Sequence, residues 1–230
     1  TALSDACTAK EAPALREAAV RILRGAQDHG RAAIARGFAD RPFDARGMTR
    51  AYTYLTDSLV RSALFVATRY LHPKPNPTEG EHLCVIGVGG YGRGEMAPFS
   101  DVDLLFLIPY KATAWTESVI ESMLYMLWDL QLKVGHSTRT VKDCVRLGRE
   151  DFTIQTALLE HRFITGDESL ETKLSDALER DLFRNSGRAF IEAKLEERDK
   201  RHIKQGQRYV VEPNVKEGKG GLRDLHSLFW

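Results

Sequence analysis

One segment constrains the fold of this chain more than any other: residues 84–109, which read CVIGVGGYGRGEMAPFSDVDLLFLIP. An apolar strand runs into the pair Gly89 and Gly90, and after a short connection Asp101 and Asp103 open a second strand. Because side chains alternate faces along a strand, both carboxylates project to one face and the intervening apolar side chains to the other. Mg²⁺ prefers a few carboxylates together with phosphate oxygens. The segment therefore predicts a site for metal-assisted phosphoryl or nucleotidyl chemistry.

The glycines of this segment allow two interpretations. A glycine turn lets backbone N–H groups approach a phosphate without obstruction by side chains. Gly87, Gly89 and Gly92 also satisfy the G-x-G-x-x-G pattern of dinucleotide-binding folds. That pattern needs a full helix after the glycines, within a βαβ unit of roughly 30 residues. Pro98 and the early second strand leave no room for such a helix, which favours the phosphate-binding turn. On the same reasoning, a side chain at Gly90 is expected to harm nucleotide binding more than one at Gly92.

Composition narrows the class of protein. The 230 residues carry 33 basic and 32 acidic side chains, so no general positive field predicts a nucleic-acid partner. Cys7, Cys84 and Cys144 are dispersed and lack C-x-x-C spacing, which argues against a disulfide framework and a zinc site. Neither a signal peptide nor an apolar run of about 20 residues is found, so we expect a cytoplasmic location and no membrane contact.

Hydrophobic periodicity and Pro/Gly positions divide the chain into three parts. The first part, residues 1–77, is predicted to be a helical segment that ends in a Pro-rich connector. The second part, residues 78–150, is predicted to form the core that contains the glycine turn and the two aspartates. The third part, residues 151–230, is predicted to be a helical segment with a Gly/Lys-rich loop. Thr140 and Asp143 have the spacing of a helix-capping pair, and Gly135 is expected to close the preceding helix. The predicted elements are helices at 10–36, 48–71, 114–132, 151–164, 169–183 and 187–205 and strands at 82–88, 101–108 and 136–140.

Two features lie in the last part of the chain. The helix at 187–205 alternates acidic and basic residues, which favours a solvent-exposed face with i,i+4 ion pairs over a docking surface. The loop at 212–226 is rich in glycine and carries Lys216 and Lys219 before an amphipathic helix. Such a loop is either a phosphate-binding element or an ordinary connector. Because the sequence stops at Trp230 within an apolar run, we expect it to be part of a longer polypeptide.

The motifs together resemble a known family. Gly89-Gly90 followed by Ser100-Asp101-Val102-Asp103 is similar to the hallmark of the DNA polymerase β-type nucleotidyltransferase superfamily. Within it, residues 89–95, 101–105, 134–140 and 212–224 closely resemble the PII uridylyltransferase family. The resemblance covers about residues 50–230 and rests on several separated motifs. It implies an α+β fold in which a small mixed β-sheet nucleotidyltransferase core is flanked by an N-terminal and a C-terminal helical segment.

The resemblance also implies an activity: transfer of UMP from UTP to a tyrosine of the PII nitrogen-signalling protein, with release of pyrophosphate. Longer members of the family add a hydrolase that removes UMP and domains that sense glutamine. Neither is recognisable here, and the sequence contains no His-Asp dipeptide. The chain is therefore expected to correspond to the transferase portion, with UTP and the PII protein as partners.

The family mechanism assigns roles to individual residues. Asp101 and Asp103 are expected to be catalytic and to bind Mg²⁺, with Mn²⁺ as a possible substitute. Gly89 and Gly90 would hold the β- and γ-phosphates. Arg93 would either add a charged contact to the nucleotide or pair with Glu95. The remaining predicted nucleotide-binding residues are Ser100, which could instead cap the turn, Lys216 and Lys219.

A third acidic residue is expected but hard to locate. The tyrosine hydroxyl has a pKa of about 10 and needs activation. Many members of the superfamily place another carboxylate on a later strand, whereas residues 134–137 read Val-Gly-His-Ser. The related glutamine synthetase adenylyltransferase has a segment similar to Gly220–Asp224, which makes Asp224 the candidate for the missing base or outer ligand. Capping of the final helix is the alternative role for Asp224.

Two other classes of function remain open from the sequence. One is a nucleotidyltransferase that uses ATP and another acceptor. The other is a non-catalytic regulatory module that binds a nucleotide or a partner. The intact Asp101 and Asp103 argue against the second.

Overall fold

The centre of the molecule is a four-stranded mixed β-sheet. The computed structural model describes residues 12–74, 78–184, 186–204 and 214–230, together with Leu3 and Glu212. The strand order is β3–β2–β1–β4, with β1 antiparallel to both neighbours and β2 parallel to β3. The predicted α+β fold with a small mixed sheet is confirmed. The strands are β1 (Cys84–Gly87), β2 (Val102–Leu107), β3 (Val134–Arg139) and β4 (Arg162–Gly166).

Helices surround the sheet. In chain order they are α1 (Ala12–Asp40), α2 (Ala45–Val66), α3 (Gly89–Gly92), α4 (Ala114–Asp129), α5 (Val141–Glu150), α6 (Phe152–Leu159), α7 (Glu168–Leu178), α8 (Gly187–Lys204) and α9 (Leu222–Phe229). Helices α2 and α7 each continue into a π-helical turn, at Ala67–Leu71 and Glu179–Phe183. Most predicted helix positions are confirmed, including the helix at 187–205 as far as residue 204.

Alternation along β2 places side chains in two separate cores. Val102, Leu104 and Phe106 pack with helices α1, α2 and α4 on one face of the sheet. Leu105 and Leu107 pack with α5, α6 and α7 on the other face. Each fully buried aliphatic or aromatic side chain stabilises the fold by roughly 1.5–3 kcal/mol. Asp103 shares the second face but lies at the open end of the strand, where the helices leave it half-buried.

Polar side chains fix where the helices of the core begin. Thr113 and Thr116 form a reciprocal capping box at the start of α4. The predicted capping pair at the start of α5 is confirmed, because Thr140 Oγ1 donates to Asp143 Oδ2 at 2.7 Å. Asp151 caps α6 by accepting a hydrogen bond from the Thr153 N–H at 2.6 Å. These caps satisfy amides that the first turn of a helix leaves without partners.

Two predicted features of the fold are wrong. The helix predicted at 151–164 ends at Leu159, and the following residues form β4, which pairs with β1. This strand lies beyond the boundary predicted at residue 150, yet it completes the sheet of the core. Gly135 does not close a helix: α4 ends at Asp129, and Gly135 lies within β3 opposite Asp103.

Other sequence expectations meet the structure only in part. Residues 75–77 of the Pro-rich connector and residues 205–211 and 213 lie outside the described residues. Cys84 and Cys144 are free, buried thiols, and burial raises the pKa of each to about 12, so neither is a ready nucleophile. Within the described ranges, no helix is both long and apolar enough to cross a membrane.

Candidate active site

The glycine turn leaves β1 and forms the short helix α3. Gly89 adopts a φ of 57°, a left-handed conformation that a residue with a Cβ rarely takes. The turn is anchored to the second strand, because the Val88 N–H donates to the Asp103 carbonyl at 3.0 Å. The dinucleotide-binding alternative is excluded, since β1 and β2 are antiparallel neighbours joined without a crossover helix.

The two aspartates lie beside this turn. Asp101 is exposed and directly precedes β2, whereas Asp103 is half-buried within the strand. Burial and the neighbouring Asp101 carboxylate raise the pKa of Asp103, and the nearby Lys216 ammonium partly opposes this effect. The structure therefore brings two carboxylates together at the cleft, with the Lys216 ammonium partly offsetting their repulsion.

Gly135 leaves space for the Asp103 carboxylate. The two residues are direct partners in the parallel β2–β3 pair. A Cβ atom added at Gly135 would lie 2.5 Å from Asp103 Oδ1, closer than real Cβ contacts allow. An acidic side chain at this position, where the sequence lacks the expected third carboxylate, would collide with Asp103.

The turn and the aspartates line a cleft of about 850 Å³. Its other walls come from helices on both sides of the sheet and from the C-terminal loop. The glycines and the polar, charged and aromatic residues that line it are Arg46, Thr49, Gly89, Gly90, Tyr91, Arg93, Glu95, Ser100, Asp101, Asp103, Thr153, Thr156, Glu160, Lys194, Glu197, Lys216, Arg223, His226 and Trp230. A volume in this range can accommodate a small organic ligand.

Arg93 is held at the edge of the glycine turn by a partner that the sequence did not suggest. Its Nη1 donates to Glu160 Oε1 at 2.6 Å, so the predicted alternative pairing with Glu95 is wrong. The Glu160 side chain is only 7% exposed and also accepts a hydrogen bond of 2.5 Å from Trp230 Nε1. Arg93 Nε is buried and has no hydrogen-bond partner among the described residues. The guanidinium therefore retains one unused donor, and the Arg93 side chain also lines the cleft.

The other predicted nucleotide-binding residues separate into two groups. Ser100 lines the cleft and also caps the preceding turn, since its Oγ accepts from the Ala97 N–H at 3.1 Å. Lys216 lines the cleft and acts electrostatically on Asp103. Lys219 is exposed and lies outside the lining of the cleft.

Asp224 also lies outside the lining of the cleft. Its carboxylate accepts hydrogen bonds from Arg201 Nη2 at 2.5 Å, His202 Nε2 at 2.9 Å and the Gly220 N–H at 2.7 Å. Although burial raises the pKa of Asp224, these hydrogen bonds outweigh it and hold the pKa below its ordinary value. A carboxylate stabilised in this way is a weak proton acceptor. The catalytic role of Asp224 stays a prediction that this environment does not favour.

Several residues of the cleft were missed in the sequence. Lys194 belongs to the helix predicted to be solvent-exposed, yet its side chain is 9% exposed and its ammonium lies 5.1 Å from the centre of the Trp230 ring. The surrounding ion pairs Arg188–Glu192 and Lys200–Glu196 do have the predicted i,i+4 spacing. His226 lines the cleft, and burial and the Arg93 guanidinium lower its pKa, which favours the neutral imidazole. No local pattern distinguished these residues.

Comparison with known proteins is consistent with the geometry. Residues 189–230 match the family model described as GlnD PII-uridylyltransferase. Residues 2–131, more than half of the chain, match the model of glutamate-ammonia ligase adenylyltransferase. Both families are named as nucleotidyltransferases.

Individual relatives are similar along nearly the whole chain. The chain is 67% identical over 98% of its length to a bifunctional uridylyltransferase/uridylyl-removing enzyme of Ruegeria pomeroyi. Identity to the proteins of the same name from Cereibacter sphaeroides and Azospirillum brasilense is 61% and 50%, over 98% and 94% of this chain. The chain spans about a quarter of the length of these relatives, 25%, 24% and 23% respectively. On these similarities, the chain belongs to the family of bifunctional uridylyltransferase/uridylyl-removing enzymes, within the broader group of nucleotidyltransferases that includes the glutamate-ammonia ligase adenylyltransferases.

Proposed function

We propose that this chain transfers UMP from UTP to a tyrosine of the PII signalling protein and releases pyrophosphate, in the cytoplasm. The observation that carries the proposal is the convergence of Gly89–Gly90, the Asp101/Asp103 pair and Lys216 on one cleft. The names of the relatives and of the matched PII-uridylyltransferase model support UMP as the transferred group and the PII protein as the acceptor.

The aspartate pair has the donor chemistry that Mg²⁺ or Mn²⁺ binds. Both ions favour carboxylate and phosphate oxygens. Asp101 and Asp103 both line the cleft, and burial together with the Asp101 carboxylate raises the pKa of Asp103, which supports binding of one cation between them. Among the described residues, no group of three or more His, Cys, Asp or Glu side chains could hold a metal ion, so the nucleotide phosphates would complete the coordination. When bound, the ion would neutralise charge on the phosphates of the leaving group.

The protein's own groups bind and orient the nucleotide. The backbone at Gly89 and Gly90 approaches the β- and γ-phosphates, while Arg93 and Lys216 supply positive charge on two sides of the cleft. The tyrosine oxygen then forms a bond to the α-phosphorus, the bond to the β-phosphate oxygen breaks, and the tyrosine proton leaves to a base. This arrangement lowers the barrier mainly by positioning and electrostatic stabilisation.

Asp224 in this proposal holds the C-terminal loop in place. Its hydrogen bonds to Arg201, His202 and the Gly220 N–H tie the loop to helix α8. A further contact joins the loop to helix α9, because Arg223 Nη2 donates to Glu217 Oε1 at 3.0 Å. Both sets of contacts hold the chain just after Lys216, which restrains its ammonium near Asp103.

Lys216→Met is expected to raise the KM for nucleotide by about tenfold, because a charged hydrogen bond contributes roughly 1.5–3 kcal/mol and exposure reduces that value. Lys219→Met is the matched control, since this lysine belongs to the same loop but lies outside the cleft lining. Steady-state kinetics at low ionic strength would measure both. Equal effects of the two substitutions would contradict the placement of Lys216 at the phosphates.

Gly135→Ala is expected to lower turnover by roughly 10- to 100-fold, because the added Cβ displaces the Asp103 carboxylate and a shift of about 1 Å can cost on the order of 10²-fold. Ser137→Ala, two residues along the same strand, is the control. The measurement is single-turnover transfer at saturating nucleotide, with thermal unfolding to verify the fold. Unchanged turnover in Gly135→Ala would mean that the position of Asp103 does not limit the reaction.

A second candidate function has one observation in its favour. The match of residues 2–131 to the adenylyltransferase family favours ATP as the alternative donor, with a different protein acceptor.

One experiment separates these functions. The purified chain is incubated with Mg²⁺, PII protein and either UTP or ATP labelled at the α-phosphate. Label on PII from UTP with equal release of pyrophosphate supports the proposal, and a PII variant in which the acceptor tyrosine is Phe should remain unlabelled. Label from ATP would favour the second function. Nucleotide binding without transfer to any acceptor would indicate the non-catalytic regulatory module.

A further inference from the structure

A buried polar network lies directly behind the glycine turn. Asp57 of helix α2 has an 8% exposed side chain and accepts hydrogen bonds from both terminal nitrogens of Arg162, at 2.8 and 3.1 Å. The same carboxylate accepts a bond of 2.6 Å from the hydroxyl of Tyr91, whose side chain is 1% exposed. Asp57 therefore links helix α2, strand β4 and the glycine turn. None of these three side chains is needed for the chemistry described above.

Arg162 also donates hydrogen bonds to the backbone of the turn. Its Nε donates to the Gly92 carbonyl at 3.1 Å, and its Nη2 donates to the Tyr91 carbonyl at 3.3 Å. Its guanidinium carbon lies 5.4 Å from the centre of the Tyr91 ring. A guanidinium has five N–H donors in a rigid planar arrangement, so one side chain can bind the carboxylate and the two carbonyls together. A lysine could not reproduce this pattern.

The two ends of the turn are thus held by different elements. At its beginning, the Val88 N–H is bonded to the Asp103 carbonyl of β2. At its end, Arg162 holds the carbonyls of Tyr91 and Gly92, and Asp57 orients Arg162. Gly89 and Gly90 lie between these anchors and carry no side chains of their own that could restrain them.

Stability alone does not account for this ion pair, in which the Asp57 side chain is 8% and the Arg162 side chain 30% exposed. Apolar side chains of similar volume often replace such pairs with equal or greater stability. What apolar side chains cannot supply is a set of directional hydrogen bonds to one backbone segment. We propose that Asp57 is a positioning residue, which acts through Arg162 and Tyr91 to hold the backbone of the glycine turn in the conformation that binds the nucleotide phosphates. The expected effect on the KM for nucleotide rests on the proposed function. The expected effect on the conformation of the turn does not.

The structural consequence is tested by amide hydrogen exchange of the nucleotide-free chain. In Asp57→Asn, the amides of residues 88–94 should exchange about tenfold faster or more, because local opening of the turn becomes easier. Arg162→Lys keeps a positive charge beside Asp57 but loses the two carbonyl contacts, so it should show the same change. The strand amides at 104–107 should exchange as in the parent.

The kinetic consequence is a rise in the KM for nucleotide of about tenfold or more, with kcat at saturation changed by less than about threefold, since bound phosphates re-order the turn. Tyr91→Phe, which removes one of the three bonds to Asp57, should give a smaller rise. Leu174→Ala is the stability control: this side chain is fully buried in the core on the opposite face of the sheet from α2 and is destabilising when truncated.

The outcomes are distinct. Faster exchange confined to the turn in Asp57→Asn and Arg162→Lys, but not in Leu174→Ala, supports the proposal. Unchanged exchange in the turn, or an equal increase in Leu174→Ala, overturns it, even if UMP transfer is confirmed. If the parent neither binds UTP nor transfers UMP, the proposed function fails, and hydrogen exchange still decides the role of Asp57.

Discussion

Asp101→Asn and Asp103→Asn are each expected to lower UMP transfer by at least about 1000-fold. A carboxylate-bound metal ion contributes several kcal/mol of transition-state stabilisation, and each 1.36 kcal/mol corresponds to about tenfold in rate. Both side chains border the cleft, so their replacement removes ligands and leaves the cores intact. Transfer to the PII protein at saturating Mg²⁺ and UTP is the measurement. Turnover near that of the parent in either variant would contradict the metal assignment.

The same variants should not lose stability. Burial and Asp101 raise the pKa of Asp103 in the folded protein. A carboxyl group with a raised folded pKa stabilises the fold at low pH, and this contribution is lost as the pH rises through that pKa. At neutral pH, Asp103→Asn should therefore leave the melting temperature unchanged or raise it in metal-free buffer. Asp176→Asn, at an exposed position of α7, is the control for the loss of one charge.

Asp103→Asn and Asp101→Asn should also lose thermal stabilisation by ligand. A ligand that binds only the folded state raises the melting temperature, and the stabilisation grows with the logarithm of the ligand concentration divided by its Kd. The parent should respond to Mg²⁺ with UTP, whereas the two variants should respond weakly. A large response in both would show that the nucleotide binds independently of the aspartates.

Gly92→Val is expected to destabilise the fold by about 3 kcal/mol or more, which is the upper range for overpacking a tight interior. A Cβ added at Gly92 would lie 1.8 Å from the Glu160 carbonyl oxygen and 2.9 Å from the Gly87 carbonyl oxygen. Neither atom can move without displacing backbone. For a domain of this size the melting temperature should fall by roughly 6–12 °C, at about 2–4 °C per kcal/mol. Thermal unfolding measures this directly.

Gly90→Val is the matched comparison, because the two glycines belong to the same turn. A Cβ at Gly90 would meet only Arg93 Nη2, at 3.5 Å, which is an ordinary contact. The melting temperature should therefore stay near that of the parent, while the KM for nucleotide rises at least about tenfold because the side chain blocks the backbone approach. Equal loss of stability in both variants, or unchanged affinity in Gly90→Val, would refute this division of roles.

The two glycines also show how sequence and structure differ in what they explain. The sequence indicated that Gly90 matters for binding more than Gly92, from the phosphate-binding interpretation of the turn. The reason why Gly92 must lack a side chain is its contact with Glu160, 68 positions further along the chain. A contact of that separation leaves no local pattern, so only the folded chain reveals it.

Local residue patterns predicted several features that meet at the cleft or border the sheet. Strand alternation predicted Asp101 and Asp103 on one face, the spacing of Thr140 and Asp143 predicted a capped helix, and the glycines predicted a turn. Each of these inferences depends on neighbours within a few residues, where backbone geometry follows from residue type. The α+β fold and the family resemblance rest on the same short motifs.

Tertiary structure alone decided the rest. Strand β4 is a five-residue run that follows α6 without a glycine or proline, and its pairing with β1 makes it a strand. The partners of Arg93, the burial of Lys194 and the bonds that occupy Asp224 all depend on side chains brought together by folding. The pairing of Asp57 with Arg162 joins residues 105 positions apart. Residue type and local spacing determined which groups could act in this protein. Long-range packing determined which of them meet at the cleft, because pairing between residues so far apart in the chain depends on the whole core rather than on any one segment.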